Sequence, residues 1–212
     1  MYRSLSPEYS ATPVPAWVPV SALRYLAHTE SGLPIRALAR QAGCHASTVL
    51  RQIRKLESRR EDYLVDEALC HLGRLHFRRA GRKPQISETE PETMTHMQFA
   101  STTNTEILEK EARRILRRLT ETGAVLAVAQ DMEKAVIVRD TVSGTTTRTA
   151  VVDREIAQAM ALKNWIHCKN TGRISRYAIT PEGRGALAAL LAQAEASAQP
   201  GFAEAQTGFT PA

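Results

Sequence analysis

Between Pro34 and Leu56 the chain reads PIRALARQAGCHASTVLRQIRKL, two short helical runs broken by one glycine. Pro34 stands at a helix start, where a missing N–H costs nothing. Leu38, Ala39 and Ala42 then recur on one face of the first run. Ala39 is small where a second helix has to cross closely. Gly43 supplies the residue best able to take the positive φ of a tight turn. The second run begins at His45 or Ser47 and spans Ala46 to Glu57; Val49, Ile53 and Leu56 repeat at steps of four and three, so they face inward together. An earlier run, Val20 to His28, offers Leu23, Leu26 and Ala27 to complete a three-helix core. Two helices, a glycine turn and a third helix behind them make the helix-turn-helix pattern.

The outward face of the second run has a chemistry of its own. Thr48, Arg51, Gln52 and Lys55 share one side of the helix, with Ser47 at its start. All can donate hydrogen bonds and none is acidic. Arginine can bridge O6 and N7 of guanine, and glutamine can bridge N6 and N7 of adenine. Threonine can meet a thymine methyl or a phosphate. From Pro34 to Arg60 there are seven basic residues (Arg36, Arg40, Arg51, Arg54, Lys55, Arg59, Arg60) against one acid, Glu57. An ordinary solvated helix face mixes signs, often pairing Glu with Lys or Arg four residues apart. The local excess predicts attraction to phosphates and binding that weakens with salt.

The whole chain agrees in sign, with 28 Lys and Arg against 22 Asp and Glu and a net charge of +6 over 212 residues. Such a balance points to an anionic partner, nucleic acid before a membrane surface. No run approaches the roughly 18 apolar residues that a bilayer demands. The start, MYRSLSPEYSATPVPAW, lacks the apolar core of a secretory signal. Three scattered cysteines, Cys44, Cys70 and Cys168, make no disulfide framework, so a cytoplasmic, nucleoid-associated protein is expected.

Composition divides the chain into a flexible tail over 1–18, a helical region over 19–77, a linker over 78–104, a second periodic region over 105–193 and a disordered tail over 194–212. In the second region Thr105 to Thr122 reads as an amphipathic helix, with Ile107, Ala112, Ile115, Leu116 and Leu119 inward and Lys110, Arg113, Arg114, Arg117 and Arg118 outward. Glu106, Glu109, Glu111 and Glu121 are available to balance that basic face. Gly123 is its stop. Val125–Val128 and Ala135–Val138 predict one hairpin, and Trp165–Cys168 with Ser175–Ile179 another. Asp153 to Leu162 predicts a helix with Asp153 as its cap, and Thr180-Pro181-Glu182 opens the last helix. The alanine- and leucine-rich composition of that helix would suit a homodimer contact. The expected fold is mainly α: a helix-turn-helix domain followed by a winged-helix-like α+β domain with short β-hairpins.

The string GCHASTVLRQIRKLE resembles the recognition segment of winged helix-turn-helix regulators of the MarR and Lrp type. The resemblance covers about residues 20 to 60. It implies base contact by Ser47, Thr48, Arg51 and Gln52, and phosphate contact by Arg54, Lys55, Arg59 and Arg60. Where those families continue with a β-wing, Asp62 to Leu75 reads as helical through Leu64, Ala68, Leu69 and Leu72. The later order of Asn164-Trp165-Ile166, a glycine hairpin and Tyr177-Ala178-Ile179-Thr180-Pro181-Glu182-Gly183 is similar to the closing of a bacterial winged helix. Domain order also resembles helix-turn-helix activators of gene-transfer-agent clusters, which would imply contact with RNA polymerase or a sigma factor.

Other chemistries find little support. Cys70, His71 and His76 lack the paired spacing of a zinc site. No strained nucleophile turn is present. Gly183 and Gly185 lie inside an expected helix and form no phosphate loop. No cofactor and no enzyme activity are expected. The expectation is a sequence-specific regulator of transcription that binds double-stranded DNA. An adaptor binding RNA polymerase or a sigma factor is the alternative.

Overall fold

The computed structural model of the protein describes residues 14–77, 105–140 and 146–198. Seven α-helices and one five-stranded antiparallel sheet make up an α+β architecture among the described residues. The expected linker lies wholly outside them, as do the outer parts of both expected tails.

The first half holds α1 (Val20–Thr29), α2 (Ile35–Gln41), α3 (Ala46–Arg59) and α4 (Tyr63–Leu72), followed by a π-helical turn over Gly73–Phe77. Each start has a physical cause. Pro19 and Pro34 precede α1 and α2, and His45 caps α3 by accepting the Ser47 N–H on its ring. Asp62 caps α4 by accepting the Leu64 N–H at 3.1 Å. Gly43 turns the chain between α2 and α3 at a φ of +60°, where a side chain would be strained. Leu26, Ala27, Leu38, Ala39, Val49, Ile53 and Leu56 are buried together, as their spacing predicts; Ala22 joins them, while Leu23 and Ala42 are only half-buried. Val18 is buried and Trp17 packs on the same core, so the ordered structure begins before residue 19.

The second half runs α5 (Thr105–Leu119), β1 (Ala124–Ala129), β2 (Lys134–Asp140), β3 (Thr146–Asp153), α6 (Arg154–Leu162), β4 (Ile166–Asn170), β5 (Ile174–Ile179) and α7 (Pro181–Ala198). The strand order is β3-β2-β1-β5-β4. The two expected hairpins are present, and β1 joins them by pairing with β5, Leu126 opposite Tyr177. The two-hairpin expectation needs correction, because β3 adds a fifth strand along β2. Its Thr-rich start keeps Thr147 and Arg148 exposed, so it carries little apolar alternation to read. The stripe of α5 also needs correction: Leu108 is buried and Ile107 is 52% exposed. Leu108, Ala112, Ile115 and Leu119 then follow at steps of four, three and four. Thr180 caps α7 by accepting the Gly183 N–H at 2.9 Å. Gly183 is a packing glycine, since a Cβ there would sit 2.1 Å from the Trp165 carbonyl oxygen.

One continuous cluster of buried apolar side chains runs through both halves, with α4 packed on α6. A polar clasp surrounds that contact. Tyr177 on β5, fully buried, donates its hydroxyl to Asp62 at 2.8 Å. Arg154 at the start of α6 donates to Glu67 of α4 at 2.8 Å and stacks over the Tyr63 ring at 5.0 Å. Among the described residues no helix is long and apolar enough to cross a membrane.

Candidate nucleic-acid interface

The face of α3 opposite Val49, Ile53 and Leu56 stands open. Ser47, Thr48, Arg51, Arg54 and Lys55 are all exposed. Arg36 and Arg40 on α2 are exposed as well. Helical spacing explains the division. Positions 47, 51, 54 and 55 sit about half a turn from 49, 53 and 56, so burying the aliphatic stripe exposes the donors. At the amino end the His45 ring meets the Ser47 hydroxyl at 2.8 Å. That contact fixes the first turn of α3 and the direction of Ser47.

Two of the expected residues lie seven apart on one flank of α3, where the helix meets its neighbours. Gln52 is half-buried and its Oε1 accepts from Arg24 of α1 at 2.7 Å. Arg59 is half-buried and donates to the carbonyl oxygens of Ala161 and Leu162, at the carboxyl end of α6. Burial holds its guanidinium below the usual arginine value. It places a cation against the carbonyls at a helix end, where positive charge is favoured. Arg60, the capping residue just after α3, donates to Asp66 at 2.5 Å and to the Tyr25 hydroxyl at 3.3 Å, and those bonds hold its pKa above the usual value. The resemblance implies phosphate contact for both arginines. Both are instead engaged within the chain.

Four residues escape sequence reasoning. Arg24, Tyr177, Asp62 and Arg154 act on partners that no local spacing connects to them; Arg24 lies 28 residues from Gln52, and Tyr177 lies 115 from Asp62. The tyrosine proton is held firmly, since burial, reinforced by Asp62, pushes its pKa above the usual 10. Burial also pushes the nearby Cys168 thiol upward, with Asp62 adding to it.

A second basic surface lies on α5. Lys110, Arg113, Arg114, Arg117 and Arg118 line a cleft against Leu191 of α7. The acids expected to balance them are only partly available. Glu111 pairs with Arg114 at 2.7 Å, and Glu121 pairs with Arg139 of β2 at 3.0 Å. Among the described residues no ion pair reaches Lys110, Arg113, Arg117 or Arg118. No group of three or more His, Cys, Asp or Glu side chains among the described residues is placed to hold a metal ion. Comparison with protein-family models, with curated proteins and with solved structures gives no match.

Proposed function

We propose that the protein is a sequence-specific regulator of transcription that binds double-stranded DNA, working in the cytoplasm on the nucleoid, with α2, the Gly43 turn and α3 as a helix-turn-helix. The observation that carries this is the open side of α3, where Ser47, Thr48, Arg51, Arg54 and Lys55 are exposed while the opposite side is buried. In this reading Ser47, Thr48, Arg51 and Gln52 meet base edges, and Arg36, Arg54 and Lys55 meet phosphates. Arg59 and Arg60 contribute by holding the end of α3 in place. The β4–β5 hairpin, with Lys169 and Arg173 exposed near its turn, would be the wing-like element.

Selection of bound sites from a random pool of duplex DNA tests the proposal. A short enriched motif is expected, weakened at one position by Arg51→Ala. A pool that emerges unenriched would overturn it, and retention of structured RNA in preference to duplex DNA would redirect it. Two-fold symmetry in the motif would report a homodimer.

The cations on α5 favour a second reading, an adaptor that binds an acidic surface of RNA polymerase or a sigma factor. The charge of Lys110, Arg113, Arg117 and Arg118, reached by no ion pair among the described residues, complements such a partner. Recovery of polymerase from nuclease-treated extract, lost on replacing Arg113 and Arg117 by Gln, would support it. Such an activator would use α3 on DNA and α5 on its partner.

A further inference from the structure

If α3 binds duplex DNA as proposed, the Arg24–Gln52 contact bears on which base it reads. A guanidinium has five N–H donors and no acceptor. The atom of Gln52 that faces Arg24 Nη1 at 2.7 Å is therefore the amide oxygen. A free glutamine can present oxygen and NH2 together, which is what matching N6 and N7 of adenine requires. Here the oxygen is engaged by a cation, in the stronger, charge-assisted kind of hydrogen bond. The group left to donate is the Gln52 NH2, backed by the positive charge of Arg24. An adenine amino group would bring a donor towards that cation, whereas guanine O6 and N7 would bring acceptors.

We infer that Arg24 is a specificity-determining residue: by occupying Oε1 of Gln52 and setting a positive charge beside it, it disfavours an incoming donor and leaves the NH2 to select an acceptor edge, guanine first. Arg24 acts through Gln52 and is a positioning residue. Arg51 and Lys55, which are donors only, give the same face the same preference.

Site selection with the full chain and three variants tests this. Gln52→Ala identifies the base position that Gln52 reads, as the one whose preference disappears. In the unaltered protein that position should be guanine, favoured over adenine by roughly tenfold, the size of one good base contact. Arg24→Met keeps an unbranched apolar stem against α3 and removes the guanidinium; the same position should move towards adenine while the others hold. Gln52→Glu needs no release of Arg24, because the carboxylate keeps a partner there. It should abolish the guanine preference and favour cytosine, whose N4 donates. Circular dichroism melting of each variant verifies that it is folded, and should Arg24→Met fail to fold, Gln52→Glu decides alone. Adenine at the Gln52 position in the unaltered protein overturns the inference, as does an Arg24→Met or Gln52→Glu motif identical to the original. The absence of any motif from the unaltered protein overturns the DNA-binding proposal itself.

Discussion

The two ends of α3 carry similar residues and do different work. Through Lys55 the basic side chains are exposed, and no ion pair to Arg51, Arg54 or Lys55 occurs among the described residues. From Arg59 onward they are engaged, Arg59 by the carbonyls of α6 and Arg60 by Asp66. Charge counted along the sequence treats the seven cations from Arg36 to Arg60 alike. Packing separates them, because the carboxyl end of α3 runs into α6, placed much later in the chain, and into the neighbouring α1 and α4. A basic run is therefore evidence for an anionic ligand only over the part that the rest of the fold leaves free.

The comparison breaks most visibly at the clasp. Tyr177→Ala should destabilise the protein by about 3–5 kcal/mol, the usual cost of deleting a buried aromatic ring. Chemical denaturation would register it, and a loss below about 1 kcal/mol would mean that the two halves do not depend on this contact. At the open end Arg51→Ala should weaken binding to the selected duplex by about 1–3 kcal/mol and leave the melting temperature where it was. Arg59→Met should do the reverse, lowering stability by about 1 kcal/mol, as expected for a half-exposed hydrogen-bonding group, with little change in the salt dependence of binding. A steep loss of salt dependence in Arg59→Met would return that residue to the phosphates.

Two smaller effects sharpen the same division. Lys55→Ala should lower the slope of log affinity against log salt by about one and weaken all sequences alike. Tyr177 should make the clasp sensitive to alkali. Its folded pKa is raised, so above pH 10, where an ordinary tyrosine releases its proton, the folded state still holds one that the unfolded state has lost. Stability from this residue is complete below pH 10 and declines as pH rises past it. Tyr177→Phe should flatten that decline in alkaline melts.

Much of the fold is legible in the sequence, for identifiable reasons. Local rules place Gly43, the Val49-Ile53-Leu56 stripe, the Thr180 cap and both hairpins, because turns, periodicity and capping act over a few residues. β3 is not legible: its edge position and polar outer residues leave a weak period, and a bulge at its own Thr149, opposite Ile137 and Val138 of β2, shifts the register. The side of the first turn of α5 that faces inward, Leu108 and not Ile107, is fixed by the sheet beneath it. At the interface the exposed donors follow from helical geometry alone. The engagement of Gln52 and Arg59 does not, since Arg24 and α6 reach them through the folded core, while Arg60 meets Asp66 at the surface across the turn between α3 and α4.

The central claim is that α3 meets nucleic acid with its open end and the fold with its closed end. Following arginine side-chain Nε–Hε signals by NMR during titration with the selected duplex tests it directly. Arg51 and Arg54 should shift, while Arg59 and Arg154 should stay in place. Shifts confined to Arg59 and Arg154, or no arginine shift at saturating duplex, would contradict it.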